Sequence, residues 1–462
     1  MSLALQGVPA QITNLLQDRT LERVFHDALF PRLLYRAEAR PELWMANLGE
    51  RMVFTRSGLI GVDTRPLVPG NDPVPQTYQT EQWEAEASQH GNTIDTHMPS
   101  SHVALASLFL RNTQQLGLNA GQTLNRLTRD PLYRAYLSGE AMVDVATGGA
   151  GTTLHVNTLN GFSQQLQNGR LNPVGPANPL PITFSTAEPA NTVIGVAPDN
   201  ATEPYGPGTI TLGAATSGAI AARVGVFTAT RARRLRVGGG ATVDALTATD
   251  VLTLNDIIAG VSRLREQNVP PHPDGQYHVH MTPQAEAEIF QDNHWQRLHQ
   301  SLPEGAAYRD LAIGQAVGCY FYRNNENPSA ETVDPARTIA IAGGAGGATL
   351  AQEIGAELTN EAGVPIRRVI ITGGGALYEK YIDESKYITD AGVTGKIGQF
   401  SIINGGAAVM TRRIRFILRS PLDRLQQVVS QTWSWSGDFP VPSDQLVGDG
   451  ARFKRAVVIE HA

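Results

Sequence analysis

Residues 252–295 read LTLNDIIAGVSRLREQNVPPHPDGQYHVHMTPQAEAEIFQDNHW. Leu254, Ile257, Ile258, Val261 and Leu264 recur at helical spacing, and the pattern stops at Pro270-Pro271, where a missing amide and a fixed φ end a helix. QYHVHMT (276–282) then alternates as a strand does. Pro283 follows where the first turn of another helix tolerates it. Helix, strand and helix in succession predict a mixed α and β chain.

Towards the C-terminus the alternation continues through QAVGCYFYRN (315–324), RTIAIAGG (337–344), ATLAQEIGAEL (348–358) and RRVIITGGG (367–375). Long strand-like runs then take over in FSIINGGAAVMTRRIRFILR (400–419) and QVVSQTWSWSGDFPV (427–441), and RAVVIEHA (455–462) reads as a last short strand. On the other side, helical periodicity is missing from 148 to 240, where NPVGPANPLPITF (172–184) and TVIGVAPDNATEPYGPGTITL (192–212) predict short strands joined by turns. We expect a separately folded β-rich domain there.

The first part of the chain holds the strongest helical segment, SSHVALASLFLRNTQQLGLN (100–119), with Ser100 or Ser101 as its cap and Val103, Ala106, Phe109 and Leu110 as its buried stripe. Asp130-Pro131 predicts the start of a second helix, running to Gly139. MVFTRSGLIGV (52–62) predicts two short strands around Ser57-Gly58, followed by the proline-rich 65–76 and a further strand over 77–83. This is an extended hairpin with little core of its own. A helical arm is expected over 13–35, ended by Pro31.

Composition narrows the function. The length of 462 residues allows about three domains, and only 17% of residues are charged against a usual value of about 25%. Four basic residues are lysine (Lys380, Lys386, Lys396 and Lys454) and 33 are arginine, whose planar fork suits ordered interfaces better than solvated surface charge. A net charge of −6 argues against a protein that coats nucleic acid with its whole surface. The single Cys319 forms no intrachain disulfide. MSLALQGVPAQ lacks the basic region and apolar run of a signal peptide, and no stretch reaches the length of a membrane span, so no membrane partner is expected.

Catalytic motifs are weak. Gly343 to Gly347, between a strand-like and a helix-like run, suggest a phosphate cradle, but Thr349 stands where a dinucleotide-binding turn needs its third glycine. TGGGA (372–376) lacks the Lys-Ser/Thr ending of a phosphate loop. His278 and His280 share a strand face near His272, His294 and His299, without a cysteine or carboxylate cluster at ligand spacing, and read as surface or interface histidines. Glu353, Glu357 and Glu361 read as a solvated helix face. No catalytic, cofactor-binding or metal residue is assigned, and no cofactor is expected. The arginines cluster at 231–236, at Arg367 and Arg368, and at 412–424; on a strand Arg413 and Arg415 share a face and point to a carboxylate or phosphate.

The segments 252–295 and 402–444 together resemble the coat-protein branch typified by coliphage N-four, within the major capsid proteins of tailed double-stranded DNA bacteriophages. The carriers are the 252–295 stretch, with its DGQY strand and its helix ending in DNHW, and SPLDRLQQVVSQTWSWSGDFPVPSD (420–444). The first half of the chain matches by layout only. The resemblance implies an α+β Hong-Kong-97-type fold, with an N-terminal arm (1–44), an E-loop (45–99), a spine helix with part of the P-domain (100–153), an inserted β-domain (154–240), a mainly A-domain region (241–390) and P-domain return strands with the C-terminus (391–462). It implies a structural, non-enzymatic subunit of the virion that self-assembles through hexamers and pentamers in the bacterial host cytoplasm. Implied partners are a separate scaffolding protein, since only about forty residues precede the E-loop, a portal protein, a decoration protein, and packaged double-stranded DNA held without sequence specificity. Arg51, Arg56, Arg65, Trp83, Arg233, Arg234, Arg413, Arg415, Trp433 and Trp435 are then the candidates for contacts between subunits. Two other classes remain open at this point: a nucleotide-dependent oxidoreductase built on 343–347, and a β-rich carbohydrate-binding or fibre protein built on 154–237.

Overall fold

The structure is a computed structural model, and it describes residues 19–29, 34–44, 49–57, 64, 66, 70, 72, 75–78, 80–103, 108–167, 170–229, 231–232, 234–300, 314–324, 360, 362–385, 388, 392–393, 395–397, 399–403, 406–419, 427–442 and 455–462. The chain divides into two compact units. One comprises Met1–Met52, Glu84–Thr128 and Tyr378–Pro440, and the other Val53–Trp83, Arg129–Leu377 and Val441–Ala462.

The first unit is built on an eight-stranded sheet. Its order is Arg40–Leu43, Tyr378–Tyr381, Val428–Asp438, Ile414–Arg419, Gly406–Thr411, Phe400–Ile403 and Gly395–Ile397, with Ser88–His97 also paired to Val428–Asp438. That last pairing is antiparallel and unbroken from Ser88 opposite Gly437 to His97 opposite Val428. Ser88–His97 was absent from the expected strands because SQHGNTIDTH has no apolar alternation; Thr96 is its one buried residue. Backbone pairing holds it instead, with Thr93 Oγ1 2.8 Å from Thr432 Oγ1.

A 29-residue helix, Leu108–Tyr136, begins in this unit. Its early turns lie on the long strands: the Trp433 indole N–H donates to Asn119 Oδ1 (3.1 Å), Gln431 Nε2 to the Phe109 carbonyl (3.3 Å) and Asn112 Nδ2 to Thr96 Oγ1 (2.9 Å). The helix start expected at Asp130-Pro131 is corrected, because Pro131 lies inside the helix. A proline in a helix interior costs about 3 kcal/mol, but complete burial of Leu132 and Tyr133 is worth about 2 kcal/mol each and outweighs it. Ser100 likewise is no cap, since it sits inside helix Met98–Val103; residues 104–107 lie outside the described residues.

The N-terminal helix, Thr20–Leu29, buries Leu21, Phe25 and Leu29 as its periodicity predicts, and Phe25 stacks on Phe416 with ring centroids 4.9 Å apart. Gly117 lets it approach the long helix, since a Cβ there would stand 2.7 Å from the Phe25 carbonyl oxygen. Strands Arg51–Ser57 and Thr80–Glu86 form a separate two-stranded ladder. The first expected strand thus pairs with the later one, and its neighbour over 58–62 lies outside the described residues.

The second unit holds two six-stranded sheets. One runs Glu140–Met142, Gly225–Thr228, Leu180–Phe184, Asn191–Pro198, Gly208–Leu212 and Thr153–Val156, each pair antiparallel. A bridge between Val143 and Val156, with the Asn157 amide donating to the Met142 carbonyl (2.9 Å), joins the first strand to the last. The sheet therefore closes on itself and leaves no long free edge. Leu154, Val156, Leu180, Ile182, Ile210 and Leu212 alternate inward to fill it. Residues 140–153 belong to this barrel, ahead of the boundary read at 154.

The other sheet runs Arg234–Arg236, Ala456–His461, Arg367–Thr372, Tyr277–Met281, Cys319–Arg323 and Gln315–Ala316. Two of its strands come from segments read apart in the sequence. Arg234–Arg236, read as part of the insertion, pairs in parallel with the C-terminal strand, and Ala456–His461, grouped with the P-domain return, instead fills the gap between Arg234–Arg236 and Arg367–Thr372. Helix Leu254–Glu266 is as read from the sequence, whereas the single helix expected from Pro283 is broken where Asp292 turns extended, giving Pro283–Gln291 and Asn293–Gln300. Thr253 and Asp256 close a capping box on the first, and Thr282 Oγ1 accepts the Ala285 amide (3.2 Å) on the second. Their apolar faces join Tyr277, Val279, Phe321, Val369, Ile371, Val457 and Ile459 in one core.

Gly117→Val should detach Thr20–Leu29, because the new methyl groups occupy the space of the Phe25 backbone. Limited trypsin digestion should then cleave after Arg23 at least tenfold faster than in the parent, while cleavage after Arg263, in Leu254–Glu266, stays unchanged.

Candidate functional site

In the sheet of the second unit, residues one apart face opposite ways, so the partners of the apolar core residues line the other face. Reading across the registered pairs, that face carries Arg234 and Arg236, then Glu460, then Arg368 and Thr372, then His278 and His280, then Tyr320 and Tyr322. It divides into a charged half and an aromatic half.

Glu460, fully buried, is the centre of the charged half. Its Oε1 accepts from Arg368 Nε (3.0 Å) and lies 3.4 Å from Arg234 Nη1, and its Oε2 accepts from Arg236 Nε (2.9 Å). Arg236 Nη2 also donates to Glu140, on the first barrel strand, and Arg234 Nη2 donates to the Leu137 carbonyl. Burial resists ionisation of Glu460, but the three guanidiniums more than offset it and hold the carboxyl down at about 2. Burial pulls Arg234 below its usual range, against the pull of Glu140 and Glu460. On the sheet's helix-facing side, His461 Nδ1 lies 2.9 Å from Glu288 Oε2, which also accepts the Leu252 amide (3.0 Å).

The aromatic half corrects the reading of the histidines as surface groups, because both strand histidines are buried. His278 Nε2 lies 2.7 Å from Asp274 Oδ2, the His272 ring stacks on it at 4.0 Å, and His280 stacks on Tyr322 at 5.2 Å. Cys319 is buried and its thiol is pushed up to about 12, so it supplies no nucleophile near neutral pH.

The arginines and tryptophans expected at subunit contacts fall in different places. The Arg234 side chain is 8% exposed and pairs with Glu460 of its own unit. Arg413 is not beside Arg415 on a strand: it sits in the turn after Gly406–Thr411, pairing with buried Glu379 (3.0 Å), which also binds Arg36 (Nε, 3.1 Å). Arg415 pairs with Glu384 Oε2 (2.9 Å). Trp433 and Trp435 are each 1% exposed and are core residues. Trp83 is buried and stacks on Phe54 (5.7 Å), while Arg51 pairs with Glu84 at the surface. Arg65, Arg233 and the Arg56 side chain lie outside the described residues, as do the glycine-rich 343–347 and Glu353, Glu357 and Glu361. In TGGGA, the Gly373 amide donates to the Arg455 carbonyl and the Gly374 amide to the Pro270 carbonyl, each at 2.8 Å, which takes both from any phosphate.

Sequence reading missed the carboxylates, Glu140, Glu379, Glu384 and Glu460. A signal was present only for Glu460, an acid at the end of the apolar run AVVI; Glu384, between Asp383 and Ser385, carried none.

No family model and no curated protein matches the chain. Solved structures do. The cyanophage Pam1 capsid asymmetric unit is similar at 10% identity and a TM-score of 0.48, over 94% of this chain and 92% of that one. The capsid of cyanophage P-SCSP1u is similar at 9% identity and 0.45 (93% and 88%), and the capsid of Ralstonia phage GP4 at 14% and 0.43 (92% and 86%). All three are phage capsids.

Removing one partner of a buried ion cluster strands the remaining charges, which costs about 3–5 kcal/mol. Glu460→Gln should lower unfolding stability in urea by that amount at neutral pH. The sign of the pH effect follows from the depressed carboxyl: its contribution is present above the ordinary value of 4.5 and is lost as pH falls through about 2. The parent should lose stability over that interval more steeply than the variant.

Proposed function

We propose that this chain is a major capsid protein that self-assembles, through hexamers and pentamers, into an icosahedral head around phage double-stranded DNA. The observation that carries the reading is the hairpin Arg51–Ser57 and Thr80–Glu86. A two-stranded ribbon is marginal by itself in water, and this one leaves Val53 56% exposed. A subunit gains from such a ribbon when it lies on a neighbouring copy. The phage structures similar to this chain are capsids, the role proposed.

The chemistry of the interior supports a structural role. Arg36, Arg234, Arg236, Arg413 and Arg415 are committed to carboxylates of their own unit. Assembly then depends on shape and on many weak neutral contacts, since association costs several kcal/mol of lost freedom that a single small contact does not recover. A separate scaffolding protein, a portal, a decoration protein and DNA bound without sequence preference complete the proposal, with assembly in the bacterial cytoplasm and residence in the virion.

Deletion of residues 61–75 tests it: the variant should fold, giving the parent's circular dichroism, yet sediment as capsomers or monomers where the parent forms large particles. Large particles from the deletion variant would contradict the role given to the hairpin. Some relatives of this fold join a lysine of the E-loop to an asparagine, but no lysine precedes Lys380 here. Particles boiled in dodecyl sulfate should therefore release monomers, and a ladder of resistant oligomers would contradict this.

A further inference from the structure

Strand Ser88–His97 pairs with one strand, Val428–Asp438, and among the described residues its other side is a free edge. Two bonds show which backbone groups point there. The Met98 amide donates to the Gln427 carbonyl (2.8 Å), one step beyond His97 opposite Val428, so even-numbered residues of the strand bond to Val428–Asp438. The Ala87 amide donates the other way, to the Glu50 carbonyl (2.8 Å), so odd-numbered residues point outward. Glu50 and Ala87, like both strands, belong to the first unit.

Beyond Ala87, the outward residues Gln89, Gly91, Thr93, Asp95 and His97 are all exposed. The Thr93 amide donates to Asn92 Oδ1 (2.8 Å). The amides of Gln89, Gly91, Asp95 and His97 meet no acceptor among the described residues. Two side chains that could screen this edge turn back on their own chain. Asp95 accepts the Ser430 hydroxyl, and His97 lies 2.8 Å from Ser100 Oγ and 3.0 Å from Gln427 Oε1. A long free edge is a template for another strand, and proteins blunt such edges with proline, lysine or a bulge. SQHGNTIDTH has neither proline nor lysine, and its register is unbroken.

We infer that this edge pairs with the same strand of a second copy, antiparallel about a two-fold axis at Thr93. The unpartnered amides lie symmetrically about Thr93. An axis there sets Gln89 opposite the partner's His97 and Gly91 opposite the partner's Asp95, and brings each free amide to a free carbonyl. Like charges do not meet, because the acid faces a glycine and His90 faces a threonine. At the centre, Asn92 already satisfies the Thr93 amide, so pairing strands no donor there. Such a contact is isologous and self-complementary. It needs only a second copy and holds whether the full assembly is a shell or a dimer.

Residue-resolved hydrogen exchange of the full chain, dilute and assembled, tests this. In dilute protein the amides of Gln89, Gly91, Asp95 and His97 should exchange near their intrinsic rates, while protected Ile94 and Thr96 amides show the strand in place. On association the four outward amides should slow by about a hundredfold or more. Thr93→Cys gives a second readout. Cα atoms of a bonded antiparallel pair stand about 5.5 Å apart, within disulfide range, so mild oxidation of assembled protein should yield a covalent dimer. The buried Cys319 contributes none. Gln89→Pro removes an outward amide but no ladder bond, and should weaken association about tenfold because the symmetry loses that bond twice. A chain that stays monomeric at every concentration would overturn the inference. So would outward amides left unprotected, or Thr93→Cys left uncrosslinked, in assembled protein; closed particles with that result would leave the shell reading standing.

Discussion

An ionised carboxylate in a dry interior must be matched by cations held in place, and in the second unit that requirement falls on Glu460. Three guanidiniums from two neighbouring strands meet it. The match fixes more than charge. Strand Ala456–His461 is apolar except at Glu460 and His461, so hydrophobicity alone specifies its register weakly. A slip of one residue would turn Glu460 into the apolar core beside Val457 and Ile459 and take it from Arg234, Arg236 and Arg368. The cluster thereby specifies how the chain's last strand enters a sheet whose other strands were laid down far earlier in the sequence. Because Glu140 shares Arg236, the first strand of the barrel is held by the same charges.

How much of this was legible in the sequence depended on the range of the interaction. Leu254–Glu266, Tyr277–Met281 and Pro283–Gln291 were readable because periodicity, a threonine cap and well-placed prolines act within a few residues. The same local logic misled at Asp130-Pro131, a helix-start pattern overridden by the burial of Leu132 and Tyr133. It also failed for Ser88–His97, a polar strand whose stability lies in its partner's backbone. The arginines were visible as a class, but their destinations were not. A guanidinium's partner in these clusters is supplied from a distant strand, and Arg234 reaches Glu460 only after 226 residues.

The same distribution of charge bears on function. The chain is poor in charge, and Arg36, Arg234, Arg236, Arg368, Arg413 and Arg415 are paired with buried carboxylates of their own unit. In the proposed shell the contacts between copies would be individually weak, and a closed lattice lets many of them act at once. A chemical site is not needed for that role. Of the groups that looked chemical in the sequence, His278 lies against Asp274, Cys319 is in the core and the Gly373 and Gly374 amides donate to backbone carbonyls.

Electron microscopy of the purified chain, over a range of concentration and salt, tests the proposed assembly. Closed shells, or sheets and capsomers that convert to shells as concentration rises, are expected. A single small oligomer at every condition, folded and with no tendency to form a lattice, would contradict it.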